Sequence, residues 1–217
     1  MPRFHSSKKK THHVKHGALT CLEFMTTAKL PTRYGEFTIV AFCDPDKKEH
    51  FAIVKGVVKG RNSVPVRLHS ECATGDVLGS LKCDCGPQLH HSMEYIAQQP
   101  FGVLLYLRQE GRNIGLVNKI KAYHLQDLGM DTVEANQALG LPDDARDYEF
   151  AAEMLKHLGI QSIILLTNNP HKVQDLKSRG ITIVKRMPLE LPANPLNENY
   201  LKVKKKKFGH FLKLNRP

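Results

Sequence analysis

At 217 residues and 41% hydrophobic content, the chain can bury a sizeable core, and no run approaches the ~18 uninterrupted apolar residues of a membrane span or the short apolar stretch of a secretory signal. Five cysteines, three of them between positions 72 and 85, lack the spread of a disulfide-stapled secreted domain, so reduced thiols or metal ligands in a cytoplasmic protein are expected. The net charge of +11 sits at the ends: residues 1–22 and 200–217 hold twelve of the 32 basic residues and no acid, leaving 20 bases against 21 acids between them.

Residues 1–28 read as a basic, flexible arm, and the punctuation of a folded domain begins near Leu30-Pro31-Thr32. Residues 37–42, 51–58 and 64–69 are β-rich runs, the last two separated by the turn signal Gly60-Arg61-Asn62-Ser63. After Gly86-Pro87, Leu89, Met93 and Ile96 recur at helical spacing up to Pro100, and residues 102–107 form a short apolar strand. A helix is predicted from 113–115 to 128, with Leu116, Ile120, Tyr123 and Leu128 along one side and Gly129 ending it. The next spans 147–158, burying Phe150, Ala151, Met154, Leu155 and Leu158 and stopping at Gly159. Strand 163–166, helix 170–179 and strand 181–185 make a strand-helix-strand unit, and 201–217 reads as a basic tail. The expected fold is a single mixed α/β domain, a β-rich N-terminal part packed with a C-terminal α/β unit.

Three groups of residues could carry chemistry. Cys72, Cys83 and Cys85 have a spacing suited to zinc, for which thiolates are strong ligands. Three ligands leave a position for water, as catalytic zinc requires, whereas a fourth from His69 or His90 would make the site structural. Glu71 is a candidate proton-shuttling carboxylate beside it. The run Arg108-Gln109-Glu110-Gly111-Arg112-Asn113-Ile114-Gly115 follows a strand and opens a helix, an arrangement suited to anions. Thr167-Asn168-Asn169-Pro170-His171-Lys172 repeats that layout. Between two helices, Asp144 and Asp147 are candidate caps, and Arg146 beside an aspartate is a candidate activated pair.

Arg67-Leu68-His69-Ser70-Glu71-Cys72, then Gly79-Ser80-Leu81-Lys82-Cys83-Asp84-Cys85-Gly86, then the run from Arg108 to Gly115 resemble the GTP cyclohydrolase II family. Asn118-Lys119-Ile120-Lys121-Ala122-Tyr123, Asp131-Thr132-Val133-Glu134-Ala135-Asn136, Arg146-Asp147-Tyr148 and Leu166-Thr167-Asn168-Asn169-Pro170 continue the resemblance in order, over residues 28–212. Residues 29–200 would then be the catalytic domain.

The resemblance implies hydrolysis of GTP at two places. The imidazole ring loses C8 as formate and the triphosphate loses pyrophosphate, giving 2,5-diamino-6-hydroxy-4-(5-phosphoribosylamino)pyrimidine at the start of riboflavin biosynthesis. Cys72, Cys83 and Cys85 would hold zinc, which activates water toward C8. Arg146 would be the nucleophile or charge stabiliser at the α-phosphate, Asp144 its proton acceptor, and Tyr123 a neighbour of the reacting ring. Implied substrate contacts are Arg67, Leu68, His69, Ser70, Glu71 and Gln88; then Glu110, whose carboxylate suits the guanine edge, with Gly111 and Arg112; then Thr132, Thr167 and Lys172. Magnesium with the phosphates and a homodimer complete the expectation. No membrane partner is expected, and nucleic acid is not expected despite the basic ends. The alternatives are a family member that stops at a formylated intermediate or yields only GMP and pyrophosphate, and a zinc-stabilised nucleic-acid-binding module.

Overall fold

Short apolar strand runs alternating with amphipathic helices build one seven-stranded sheet with helices on both faces. The computed structural model describes residues 22–213. In chain order these form β1 (Glu23–Thr32), β2 (Gly35–Cys43), β3 (Glu49–Lys55), β4 (Val64–Ser70), α1 (Ala73–Asp76), α2 (Cys85–Ala97), β5 (Gly102–Leu107) and α3 (Glu110–Asn113). There follow α4 (Leu116–Asp127), α5 (Thr132–Ala138), α6 (Glu149–His157), β6 (Ile163–Leu166), α7 (Pro170–Ser178), β7 (Ile183–Met187) and α8 (Glu198–Phe208).

The strand order is β1-β2-β3-β5-β4-β6-β7. From β1 through β3 to β5 the pairing is antiparallel, and from β5 through β4 and β6 to β7 it is parallel. The expected mixed α/β class is therefore what the chain adopts. Parallel neighbours need crossovers, which α2 supplies between β4 and β5 and α7 between β6 and β7. As a result β4, β5 and β6 end at the same edge, where a parallel sheet presents its ligand crevice.

The sheet has a core on each face. On one, Leu68, Leu105 and Leu165 pack with Tyr148, Met154 and Leu155 around α6 and with Leu176 of α7. On the other, Ile53 and Leu104 pack with Met93 and Ile96 of α2. Full burial of side chains of this size stabilises by about 1.5–3 kcal/mol each, so the strands that carry the site are the most firmly held. Among the described residues no helix is long and apolar enough to cross a membrane.

Four features depart from the sequence expectation. Strand β1 begins at Glu23, inside the segment expected to be an arm, and pairs with β2 from Glu23 opposite Cys43 onward. It is an edge strand with most of its residues exposed, so it carries no alternating apolar signal. The rest of that arm, residues 1–21, lies outside the described residues. Residues 201–208, expected to be tail, belong to α8, which buries Leu201 and ends at Gly209 in the left-handed region (φ +63°). α5 was not expected and is set by a capping box between Asp131 and Glu134. On α4, Leu116, Ile120 and Leu128 are exposed, while Lys119 and Ala122 are buried.

Candidate functional site

β4 delivers Cys72 just beyond its last residue, and the loop entering α2 delivers Cys83 and Cys85. Their three sulfurs lie within 4.8 Å of one another, with Cys72 and Cys83 3.8 Å apart. Zinc–sulfur bonds of about 2.3 Å in a tetrahedron put neighbouring sulfurs about 3.8 Å apart, so the group has the dimensions of a zinc site.

Two glycines make that convergence possible by close approach. A Cβ on Gly75 would lie 2.9 Å from Cys83 Sγ and 3.2 Å from Cys72 Sγ, and one on Gly86 would lie 2.2 Å from the Gly75 carbonyl oxygen. Asp76, nearly fully buried, fixes the loop: its carboxylate accepts from His69 Nε2 (3.0 Å), the Cys72 backbone N–H (3.0 Å) and the Tyr106 hydroxyl (2.9 Å). Lys119, on the buried side of α4, donates to Cys72 Sγ at 3.1 Å. Hydrogen bonds from the Cys83 and Cys85 thiols, together with Lys119, lower the Cys72 pKa and favour its thiolate. Neither histidine considered as a fourth ligand joins the group, because His69 turns Nε2 to Asp76 and His90 sits beside Arg33 and Tyr34.

The β5–α4 connection forms the adjoining wall. Gly111, Arg112 and Asn113 all have left-handed φ (60°, 59° and 71°), a sharp turn that returns Glu110 toward the cysteines. The Glu110 carboxylate accepts from the Ala73 N–H (2.6 Å), the Gly111 N–H (2.8 Å) and Lys119 Nζ (2.8 Å). A carboxylate has about four acceptor positions, so Glu110 keeps little capacity for a ligand beyond these partners. Burial works against the Lys119 charge, but Glu110 and Cys72 raise its pKa above the ordinary lysine value. Tyr123 completes this end, its pKa pushed up to about 12 by burial.

The same cleft also gathers buried basic side chains. Arg67, buried on β4, donates to the Leu166 carbonyl (3.1 Å) and to Gln88 Oε1 (2.6 Å), and burial pushes its pKa down to about 10. Lys172 in the first turn of α7 donates to the Leu68 carbonyl at 2.8 Å, and its pKa is well below the ordinary value through burial and then Arg67 and Arg146. Arg146 is held by Asp144 through two side-chain contacts, Nε to Oδ1 at 2.8 Å and Nη2 to Oδ2. Burial opposes its charge, but Tyr148 and Asp144 raise its pKa, so the neutral guanidine is disfavoured. The buried atoms Arg67 Nε, His69 Nδ1, Ser70 Oγ and Tyr148 OH have no hydrogen-bond partner among the described residues. Buried polar atoms left in this way around a cleft are what a polar ligand would satisfy.

Most residues singled out in the sequence reach this cleft: Arg67, His69, Ser70, Glu71, Gln88, Glu110, Gly111, Arg112, Tyr123, Thr132, Arg146, Thr167 and Lys172 line it with the three cysteines. Glu71 is engaged by Arg108 Nε at 2.9 Å, and Asp144 stands behind Arg146. Leu68 is the exception. Its side chain is fully buried in the core, because alternate β4 residues face opposite sides of the sheet, and only its carbonyl serves the site.

Sequence reasoning missed Lys119, Lys204 and His210, which also line the cleft. It also missed the buried pair Asp44–His50, in which His50 Nε2 meets Asp44 Oδ2 at 3.2 Å and Nδ1 accepts from the Arg108 N–H at 3.0 Å. Lys119 stands in the Asn118–Tyr123 block without a role assigned to it, and the others lie in no motif, although a histidine on an apolar strand, such as His50, is a weak signal.

A family profile described as GTP cyclohydrolase II matches residues 23–188. A GTP cyclohydrolase-2 of Picrophilus torridus is 52% identical over 189 residues, covering 87% of this chain and 98% of the relative. One of Neisseria meningitidis is 52% identical over 191 residues, covering 88% and 97%. The riboflavin biosynthesis protein RibBA of Endomicrobium trichonymphae is 57% identical over 185 residues, covering 85% of this chain and 46% of the relative.

Proposed function

Since the chain belongs to the GTP cyclohydrolase II family and is a hydrolase acting on GTP, we propose that it opens the guanine imidazole ring at a zinc ion, releasing formate, and removes pyrophosphate from the same nucleotide. The product would be 2,5-diamino-6-hydroxy-4-(5-phosphoribosylamino)pyrimidine, entering riboflavin biosynthesis. The observation that carries this reading is the junction, in one cleft, of a three-thiol group of zinc dimensions with a cluster of buried cations.

Cys72, Cys83 and Cys85 would hold the metal, with Gly75 leaving room beside the sulfurs and Gly86 letting the two loops approach. Zinc there supplies Lewis-acid activation of water for ring hydrolysis. Glu110 and Tyr123 border the guanine, with Lys119 fixing the Glu110 carboxylate, and Glu71 is the adjoining carboxylate suited to proton transfer. Arg67, Gln88, Thr167 and Lys172 bind toward the phosphates, while Arg112 and Thr132 close the remaining wall. Arg146 stabilises charge at the α-phosphorus rather than attacking it, because the Asp144 contact and its raised pKa favour the cation. Magnesium accompanies the triphosphate as its counterion. A homodimer is the assembly we infer, and the exposed Leu116, Val117 and Ile120 on α4 support a buried partner face.

Zinc-loaded protein given GTP is expected to release formate and pyrophosphate in equal amounts. Cys83→Ser should lose formate release by at least about a hundredfold, since a ligand is gone, together with stoichiometric zinc. Undiminished formate from that variant would overturn the metal assignment. A formylated product, or GMP with pyrophosphate alone, would show by mass that the reaction is shortened.

A further inference from the structure

The C-terminal segment is a part of the cleft wall beyond the family match, which ends at residue 188, and it holds none of the candidate site residues read from the sequence. Within its lysine run, Lys205 and Lys206 are exposed and Lys207 pairs with Asp131 at the surface, but Lys204 is mostly buried against the site. Its Nζ lies 2.7 Å from Asp84 Oδ1 and 4.4 Å from the Tyr200 ring centroid. Asp84 also accepts from Gln88, which accepts in turn from Arg67.

Beyond α8, Gly209 turns the chain so that residues 209–213 run back over the cleft. Phe211 N–H donates to the Asn168 carbonyl (2.9 Å), Lys213 N–H donates to Glu190 (3.0 Å), and His210 faces the interior. Arg112 stacks on Phe208 at 4.6 Å, joining this segment to the β5–α4 turn.

We propose that α8 and residues 209–213 form a strap completing the triphosphate end of the cleft, with Lys204 as a phosphate-binding residue. The proposal rests on the GTP reading above and deepens it. Lys204, Arg67 and Arg146 bring three cations together against the two carboxylates Asp84 and Asp144, and their charge, with burial, disfavours the ammonium of the neighbouring Lys172, a concentration of basic groups that a polyphosphate would balance. Arg67 Nε, buried and unpartnered, points to the same need. The lysine ammonium has three donors and Asp84 takes one, so Lys204 can bind phosphate without releasing the strap. His210 reports the same field: burial, then Lys204, Arg146 and Lys172, push its pKa down to about 3.

The test uses the full chain loaded with zinc. Calorimetric titration with inorganic tripolyphosphate should show binding weakened about tenfold or more in Lys204→Met relative to the unaltered chain, with zinc content unchanged. KM for GTP should rise by a similar factor. Lys204→Arg should recover most of the binding, and Lys206→Met, which removes the same charge from the exposed side where the lysine has no polar contact among the described residues, should leave it unchanged. Equal affinity in Lys204→Met and the unaltered chain would overturn the proposal, as would equal losses in Lys204→Met and Lys206→Met. Failure of the unaltered, zinc-loaded chain to turn over GTP would instead count against the functional reading, since tripolyphosphate binding does not require turnover.

Discussion

Gly75 shows how a single residue without a side chain governs the metal group. Its backbone conformation is open to any residue, but a methyl group there would press on Cys83 Sγ at 2.9 Å and on Cys85 Cβ at 3.1 Å. Gly75→Ala is therefore expected to leave the fold intact at an overpacking cost of about 1–3 kcal/mol and to reduce bound zinc below half an ion per chain, read by elemental analysis of the purified protein. Retention of one zinc per chain would refute the steric account. The cysteines themselves were legible because thiol spacing is a direct statement of ligand geometry. Lys119 was not, because a lysine on a helix is ordinarily solvated and nothing local reveals that its ammonium meets Cys72 and Glu110. Leu68 differs for the opposite reason: it stands inside a motif whose neighbours face the site, while strand alternation turns its side chain into the core and leaves its carbonyl toward Lys172.

At the scale of elements, the strands with an apolar run and the helices α4, α6 and α7, which combine an apolar face or an N-terminal proline with a closing glycine, were legible, whereas β1, α5 and α8 were not. β1 is exposed along most of its length, and α8 hides a buried Leu201 and a mostly buried Lys204 inside a lysine-rich sequence. The link between β3 and the turn after β5 was equally invisible, since it needs His50, Asp44 and the Arg108 backbone to meet across the sheet. His50 accepts from a backbone N–H through Nδ1, so the folded chain requires its neutral form. Burial lowers its pKa below 6.5, with Asp44 opposing and Lys48 and Arg108 assisting. The folded state thus binds fewer protons than the unfolded one below pH 6.5. The stability is present above that pH and is lost as pH falls toward the lowered folded value, by up to about 1.4 kcal/mol per pH unit. Urea denaturation at pH 7, 6 and 5 should give a shallower pH dependence for His50→Gln than for the unaltered chain. Parallel profiles would remove His50 from this role.

For the molecule as a whole, composition and element order were sufficient for the mixed α/β class, but the strand order was not, because β5 inserts between β3 and β4 through contacts distant in sequence. The charge asymmetry was legible as a number and misleading as a location: part of the C-terminal positive charge lies within the cleft wall rather than on a tail. β5 joins the antiparallel and parallel halves, with partners on both sides and a residue pattern almost entirely buried. Its amides can meet solvent only when both halves come apart, so in deuterium they should exchange at the rate of global unfolding. Amides of residues 209–213, held by isolated bonds, should exchange through far smaller openings. Exchange followed by mass spectrometry would distinguish the two, and rapid labelling of β5 would contradict its place as the seam. With those outcomes the cleft would have one permanent margin and one able to lift, so that a nucleotide could enter without disturbing the strands that carry the thiols.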